Sequence, residues 1–312
     1  MREIELFLKV ANHNFGNNFK NYVLNILSNN NKRKFNPKNC SLIVGTNMNL
    51  ENRILSAKFM QDKSNKVISV NHSNYPFYIY KEPIRSVEYS ICTDYVSYGK
   101  FKFSKKLSNR IFTLPNFHHV SNMDLKKIKI SKEIKVLDIE KKQEYLYVPN
   151  MLNGNIRYGP FRDMEDSIYY KFQYELLNYF KNTKIKVHPN GKNLYFNKDR
   201  KSNSKNFEQI LNKYNVFIFD YFSTPFSRAI ATDKPIIYFD IGLRRLEKHV
   251  LDTIKKRVYY YKINLNQSFE KQFQDFLVRF SSYKKKKVNY FTEKFSLNSK
   301  NDDINKLIKK LV

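Results

Sequence analysis

Three short polar segments of this 312-residue chain carry the side chains best suited to chemistry. The first follows a predicted strand at 184–187 and contains His188, Pro189 and Asn190. The imidazole can donate to a phosphate oxygen or take part in proton transfer, while proline fixes the turn and asparagine permits unusual backbone angles. An ordinary turn that carries a surface histidine explains these residues equally well, so both interpretations stay open.

The second polar segment starts at Asp220 and includes Ser223, Thr224 and Pro225. Ser223 or Thr224 can cap a following helix, and Pro225 suits the first turn of that helix. Free N–H groups and hydroxyls at a helix start attract phosphate. Capping without a ligand explains the segment when it is taken alone. Its place one strand after His188, at the same sheet edge, favours a phosphate site.

The third polar segment lies in the first half of the chain, where His72 is followed by Ser73, Asn74 and Tyr75. His72 can act as a general base that activates a hydroxyl group. A loop histidine that hydrogen-bonds to its own backbone is the alternative, and the residues alone favour it slightly.

Two arginines and the absence of metal-binding patterns complete the candidate chemistry. Arg157 and Arg162 can clamp a phosphate or a carboxylate, although solvated arginines are an equal alternative. The pair His118 and His119 has no carboxylate or cysteine at ligand spacing, and the chain has no D-x-D, H-E-x-x-H, Walker or G-x-G-x-x-G motif. We therefore expect no metal requirement.

Alternating strand and helix patterns must position these segments. In the second half, four strands separated by helices imply right-handed crossovers and a parallel sheet, whose ligands lie beyond the carboxyl ends of the strands. The predicted strands are 41–45, 67–70, 95–99, 111–114, 134–139, 145–148, 184–187, 216–219 and 235–239. The predicted helices are 50–61, 84–92, 166–182, 207–214 and 224–232, with further helices from 267 onward.

Composition limits the class of protein. Lys and Arg total 57 against 28 Asp and Glu, a net charge of +29 that attracts anionic partners, although an AT-rich genome also enriches lysine. The two cysteines, Cys40 and Cys92, form no disulfide framework, which fits a reducing compartment. No apolar run reaches the length of a signal peptide or a transmembrane helix. We expect a cytoplasmic protein with peripheral contact to the anionic inner face of the cytoplasmic membrane.

The order of the polar segments resembles the CDP-glycerol glycerophosphotransferase family and related surface-carbohydrate, or capsule, transferases. The His-Pro pair of that group matches residues 188–189, and its Asp-x-Ser-Ser/Thr segment matches residues 220–224. The run 233–239, DKPIIYF, fits the strand that follows in the family and that lines the donor site there. In the first half, His72, Glu88 and the run 94–99 are similar to the His-Gly, Glu and Ser-Asp-x-x-x-x-Trp-Gly series of a spirochaete-type transferase group.

The resemblance implies an α/β fold in which two Rossmann-like domains with parallel sheets face each other across a cleft, the GT-B arrangement. We expect an acceptor-side domain at 1–135, a donor-binding domain at 136–265 and a helical tail at 266–312. The implied activity transfers a sugar or a polyol phosphate from a nucleotide-activated donor, CDP or CMP type favoured, to a growing cell-surface polysaccharide or a lipid-linked acceptor. No cofactor, metal or nucleic-acid partner is implied.

The resemblance also assigns roles to individual residues. His72 matches the family's proposed base, while His188, Ser223 and Thr224 match its donor-phosphate ligands. The expected catalytic residues are His72 and His188; the expected donor-binding residues are Pro189, Asn190, Asp220, Ser223, Thr224, Arg157 and Arg162; and the expected acceptor-side residues are Ser73, Asn74, Tyr75 and Glu88.

Two other classes of protein stay open from the residues alone. A basic nucleic-acid-binding protein would explain the charge of +29, although no helix-turn-helix, RNP or zinc-finger pattern is present. An inactive GT-B fold that binds glycan or scaffolds a synthesis complex would explain the resemblance without catalysis.

Overall fold

Parallel β-sheets organise both halves of the chain. The computed structural model describes residues 38–45, 50–71, 91–98, 111–114, 134–138, 143–150, 164–188, 207–243, 245–281 and 309. The first sheet has the strand order β1-β2-β3-β4, with every pair parallel. Its elements are β1 (Ser41–Val44), α1 (Leu50–Phe59), β2 (Lys66–Val70), β3 (Asp94–Tyr98) and β4 (Ile111–Leu114). The predicted α/β class with parallel sheets is confirmed.

The second sheet has five parallel strands in the order β6-β5-β7-β8-β9. A single 3₁₀ turn, Glu208–Ile210, lies on the connection between β6 and β7. The elements are β5 (Tyr145–Val148), α2 (Asp166–Tyr179), β6 (Thr183–Ile185), β7 (Val216–Phe219), α3 (Thr224–Ile230), β8 (Ile236–Asp240), α4 (Lys248–Arg257), β9 (Tyr259–Lys262) and α5 (Phe269–Ser281).

Helices cover both faces of the second sheet, which explains why its strands are continuous apolar runs. Every residue of β5 and β7 is buried. On one face, Phe239 of β8 contacts Phe273 and Phe276 of α5, with ring centroids 5.2 and 5.1 Å apart. On the opposite face, Phe226 of α3 packs edge-on against Phe219 at 5.2 Å. The second sheet is therefore a doubly wound core.

The strand order reverses between β5 and β7. The chain goes from β5 through α2 to β6 on one side, then returns past β5 to β7. Helix α2 packs on the same face as α5, since Phe172 lies 5.9 Å from Phe273, whereas Val250 and Ile254 of α4 join α3 on the other face. Such a reversal opens a crevice at the carboxyl ends of the two strands, where α/β proteins bind ligands.

Residues 134–138 do not form the predicted strand. The backbone N–H of Lys135 donates to the carbonyl of Asp233 (2.8 Å), and the N–H of Leu137 donates to the Tyr259 hydroxyl (2.9 Å). Ile134 and Leu137 are buried. The apolar alternation that predicted a strand therefore reflects packing at the amino end of the second sheet, where a loop carbonyl and a phenol replace a ladder partner.

Three further predictions about elements were wrong. The predicted helix at 207–214 is only the 3₁₀ turn. The run at 235–239 is not the last strand, because β9 follows it, and α4 was missed altogether. Helix α4 is rich in lysine and arginine overall, so its apolar stripe, which includes Val250 and Ile254, is easily overlooked.

The family-like run at 233–239 begins at the amino end of β8. The Lys234 ammonium donates to the carbonyls of Leu211 and Tyr214, which closes the loop before β7. Asp233 pairs with Lys135 at 2.9 Å. Because β8 starts only at Ile236, Asp233 and Lys234 lie at the sheet edge opposite the strand carboxyl ends. Both residues are therefore scaffold in this chain and lie away from the candidate site.

Candidate functional site

The candidate site lies at the carboxyl ends of β5, β6 and β7. His188 comes three residues after the end of β6, and Asp220 directly follows β7. Because all strands are parallel, both segments emerge at the same edge of the sheet, as predicted. They are not on neighbouring strands, however, since β5 lies between them. With strands about 5 Å apart, the ends of β6 and β7 are separated by about 10 Å.

Asp220 is held at the reversal point by two phenols. The Tyr147 hydroxyl of β5 and the Tyr169 hydroxyl of α2 both donate to Asp220 Oδ2, the latter over 2.7 Å. The Tyr169 oxygen in turn accepts from the backbone N–H of Asn150 at 2.8 Å. Burial and the Asp220 charge hold the pKa of both phenols well above the usual value, so both remain donors. The carboxylate thus ties together the ends of two strands and a helix.

The second carboxylate oxygen of Asp220 is buried without a hydrogen-bond partner. The residue is only 2% exposed, and burial raises the pKa of the carboxyl from 3.8 to about 6. The two phenols, and to a smaller extent the backbone N–H groups of Asn150 and of Asp220 itself, act in the opposite direction. Near neutral pH the group is largely ionised, so Oδ1 is an acceptor for an N–H or O–H group. Unpartnered buried acceptors are rare and need an explanation, which a ligand would supply.

The buried carboxyl predicts a specific pH dependence of stability. Since its pKa is higher in the folded chain than the unfolded value near 3.8, protonation favours folding. The stability it contributes is present below about pH 4 and is lost as pH rises through about 6, a change of about 3 kcal/mol. The side chain of the Asp220→Asn variant does not ionise in this pH range. The free energy of unfolding of this variant, minus that of the wild type, should therefore increase by about 3 kcal/mol between about pH 4 and pH 7.

Urea unfolding of both proteins across this range measures the difference, and a difference that does not change with pH would contradict the burial of an ionisable Asp220.

Ser223 caps α3, as predicted. Its Oγ accepts from the backbone N–H of Phe226 at 3.3 Å, and Pro225 lies in the first turn. The cap uses the oxygen of Ser223 as an acceptor, so its hydroxyl hydrogen can still be donated to a ligand. Thr224 is exposed at the first helical position. The segment therefore both starts the helix and presents two hydroxyls beside Asp220.

His188 is exposed, and Lys186 is buried two residues before it. The surrounding protein nevertheless shields part of the ring from water. This desolvation, with a smaller contribution from the Lys186 charge, lowers the pKa of His188. The imidazole is therefore neutral near pH 7 and has one N–H to donate. Burial also lowers the pKa of Lys186, whose ammonium donates to the carbonyl of Val187 at 3.2 Å. A buried cation and a neutral donor thus lie together at the end of β6.

Three residues of this site were missed from the sequence: Tyr147, Tyr169 and Lys186. Lys186 had a visible signal, because a lysine two residues before His188 shares its side of an extended segment. The phenols had none, because buried strand and helix tyrosines look like ordinary core.

The remaining predicted site residues lie outside the described residues. They are His72, Ser73, Asn74, Tyr75, Glu88, Arg157, Arg162, Pro189 and Asn190. The residue before His72, Asn71, is described: it is buried, and its N–H donates to the carbonyl of Val96 at 2.9 Å. Within the described ranges, no helix is both long and apolar enough to span a bilayer, and no three metal-ligating side chains come together.

Comparison with known proteins adds one match. The family model described as "LIC12162 family transferase" matches residues 4–256. The matched region includes all strands of the first sheet and the strands β5 to β8 of the second, together with every candidate site residue. No curated protein matches the chain.

Proposed function

This chain belongs to the LIC12162 family of transferases, and on that premise we propose that it moves a sugar or a polyol phosphate from a nucleotide-activated donor to a growing cell-surface polysaccharide. A CDP- or CMP-activated donor is favoured, as in the transferases that the segment order resembles. The acceptor is a polysaccharide or a lipid-linked glycan. Nucleic acid is not a partner in this proposal.

One observation carries the proposal: the buried, unpartnered Oδ1 of Asp220 at the point where the strand order reverses. This is the place where α/β sheets bind nucleotides. Around it stand Ser223 and Thr224 at a helix start, with Lys186 and His188 across β5. Donors and a buried cation on both sides of one crevice suit a phosphorylated ligand, and the free carboxylate oxygen suits a hydroxyl or amino group of the same ligand.

The proposed step is a direct displacement. His72 removes the proton of the acceptor hydroxyl, whose oxygen forms a bond to the donor carbon or phosphorus. The bond from that atom to the leaving oxygen of the nucleotide phosphate breaks, and the nucleotide departs with the electron pair. Hydrogen bonds from His188, Ser223 and Thr224 stabilise the negative charge that develops on the leaving phosphate.

The remaining features of the proposal concern architecture and location. The two parallel sheets are assigned to the two Rossmann-like domains of a GT-B enzyme, with His72 on the acceptor side and the second sheet on the donor side. The boundaries near 135 and 265 and the peripheral contact with an anionic membrane stay predictions. Charge stabilisation by protein donors replaces a metal ion in this proposal.

Turnover in the presence of a chelator tests the proposed chemistry. Release of CMP is measured from CDP-polyol and CMP-sugar donors in the presence of a surface-glycan acceptor. Release of UDP and GDP from the corresponding nucleotide sugars serves as the comparison. We expect an unchanged rate in excess EDTA. Loss of the rate in EDTA that Mg²⁺ restores would overturn metal independence, and absence of nucleotide release from every donor would overturn the transferase proposal itself.

A further inference from the structure

A cavity lies at the opposite end of the strand order from His188, along the edge of β9 that faces away from β8. Its volume is about 460 Å³, within the range of small-ligand pockets. Helix α4 borders it on one face of the sheet and helix α5 on the other. The lining residues are Lys255, Val258, Tyr260, Tyr261, Lys262, Asp275, Arg279 and Phe280. None of them belongs to the candidate transfer site.

Two tyrosine rings form the walls of this β9-edge cavity, and hydrogen bonds fix both of them. The Tyr260 hydroxyl donates to Asp240 Oδ2, and the Tyr260 ring stacks on Tyr238 with centroids 6.1 Å apart. On the other face of the sheet, the Tyr261 hydroxyl donates to Asp275 Oδ2 at 2.7 Å. Burial, followed by the bond to Asp275, raises the pKa of Tyr261 to about 12. The cavity therefore has preformed aromatic walls.

The charges around the cavity favour an anion. Among the described residues that line it, three are cations, Lys255, Lys262 and Arg279, and one is a carboxylate, Asp275. The Lys255 ammonium lies 4.8 Å from the Tyr260 ring centroid, and the Arg279 guanidinium lies 5.8 Å from the ring centroid of Phe280. The excess of two positive charges is thus concentrated beside planar rings.

The edge of β9 that faces away from β8 supplies backbone groups. The N–H of Ile263 donates to the carbonyl of Asp240, so the odd-numbered residues here direct their backbone groups toward β8. By the alternation of a strand, Tyr260 and Lys262 direct theirs toward the cavity. A ligand in the cavity therefore meets N–H and C=O groups as well as cations and rings.

We propose that the β9-edge cavity binds a sugar phosphate, and that this ligand is a negatively charged unit of the acceptor glycan. The phosphate pairs with Lys262 and Arg279, the sugar ring packs beside the Tyr260 and Tyr261 side chains, and the sugar hydroxyls bond to the strand edge. Binding of the sugar phosphate is independent of the chemistry at Asp220, whereas its assignment to the acceptor rests on the proposed function.

Titration calorimetry with glucose 6-phosphate tests the cavity, with glucose as the uncharged comparison. We expect glucose 6-phosphate to bind and glucose to bind at least about tenfold more weakly, because the charge contacts are lost. The double variant Lys262→Glu/Arg279→Glu should lose at least about tenfold in affinity. Lys271→Glu, an exposed position on α5 outside the cavity, is the matched control and should change the affinity by less than about twofold.

Three results would overturn the proposal: no binding of glucose 6-phosphate, equal binding by the charge-reversed variant, or tighter binding of a thymidine oligonucleotide through the same two cations. Melting curves of the double variant, and of the single variants Lys262→Glu and Arg279→Glu, show whether misfolding causes a loss of affinity. A parallel titration with CDP separates this proposal from the proposed function. If the charge-reversed double variant loses glucose 6-phosphate but still binds CDP, the sugar phosphate site lies at β9. If the wild type binds glucose 6-phosphate but not CDP, the proposed donor site is contradicted and the β9 site is not.

Discussion

Replacement of His188 by alanine is expected to lower the kcat/KM for nucleotide release by about a hundredfold or more. The pKa of His188 is lowered by burial, so near neutral pH the ring is a neutral N–H donor rather than a charged one. In the proposed step that donor stabilises the charge on the leaving phosphate, and loss of one such donor in a preorganised site typically has this effect. Initial rates of CMP release by both proteins measure it.

His188→Gln serves as the conservative control for this experiment. Its amide retains an N–H donor on a side chain of similar reach, so it should recover part of the lost rate. Melting temperatures of the two variants and of the wild type, measured beside the rates, distinguish a loss of the donor from a loss of stability. An unchanged rate for the alanine variant would remove His188 from the donor site.

The largest effect on stability is expected for Arg257→Ala. This guanidinium is fully buried in α4, where Nε donates to the carbonyl of Ile230 (3.0 Å) and Nη2 donates to those of Thr232 (2.8 Å) and Lys234 (3.0 Å). These carbonyls belong to the end of α3 and the turn before β8. Removing the donors leaves buried acceptors unpaired, so the free energy of unfolding should fall by about 3–5 kcal/mol.

Urea denaturation measures this loss, and the neighbouring position provides the control. Lys256 is exposed on the same helix, so Lys256→Ala should change the free energy of unfolding by no more than about 0.5 kcal/mol. Arg257→Lys keeps a positive charge but not the forked donor geometry, so it should recover only part of the stability. If Arg257→Ala were as stable as the control variant, the guanidinium would not be organising the turn before β8.

The sheets of this protein could be predicted from its sequence because their strands are buried on both faces. Runs such as 145–148 and 216–219 are apolar throughout and are bounded by polar residues, so their positions agree with the structure. The loops that carry His188 and Asp220 could be placed at one edge of the sheet, because the carboxyl ends of parallel strands lie at the same edge. The order of the strands in the sheet has no local signal, and so β5 was not expected between His188 and Asp220.

The partners of the site residues could not be predicted, because they depend on contacts distant in sequence. Asp220 meets Tyr147 and Tyr169, which are 73 and 51 residues away along the chain. The same limit affected the run at 233–239, whose likeness to transferases led us to expect it at the donor site. Lys234 instead bonds loop carbonyls at the amino end of β8. Family-like spacing therefore located the strand correctly, but the first residues of the run lie at the sheet edge opposite the candidate site.

The position of a bound nucleotide tests the central claim most directly. A crystal structure of the protein soaked with CDP is expected to show the nucleotide in the crevice between β5 and β7, with a phosphate oxygen within hydrogen-bond distance of the Thr224 hydroxyl or the His188 ring. A polar group of the nucleotide should meet Asp220 Oδ1. Nucleotide bound elsewhere would contradict a donor site at this edge of the sheet. Absence of bound CDP at a concentration that inhibits the transfer reaction would contradict it as well.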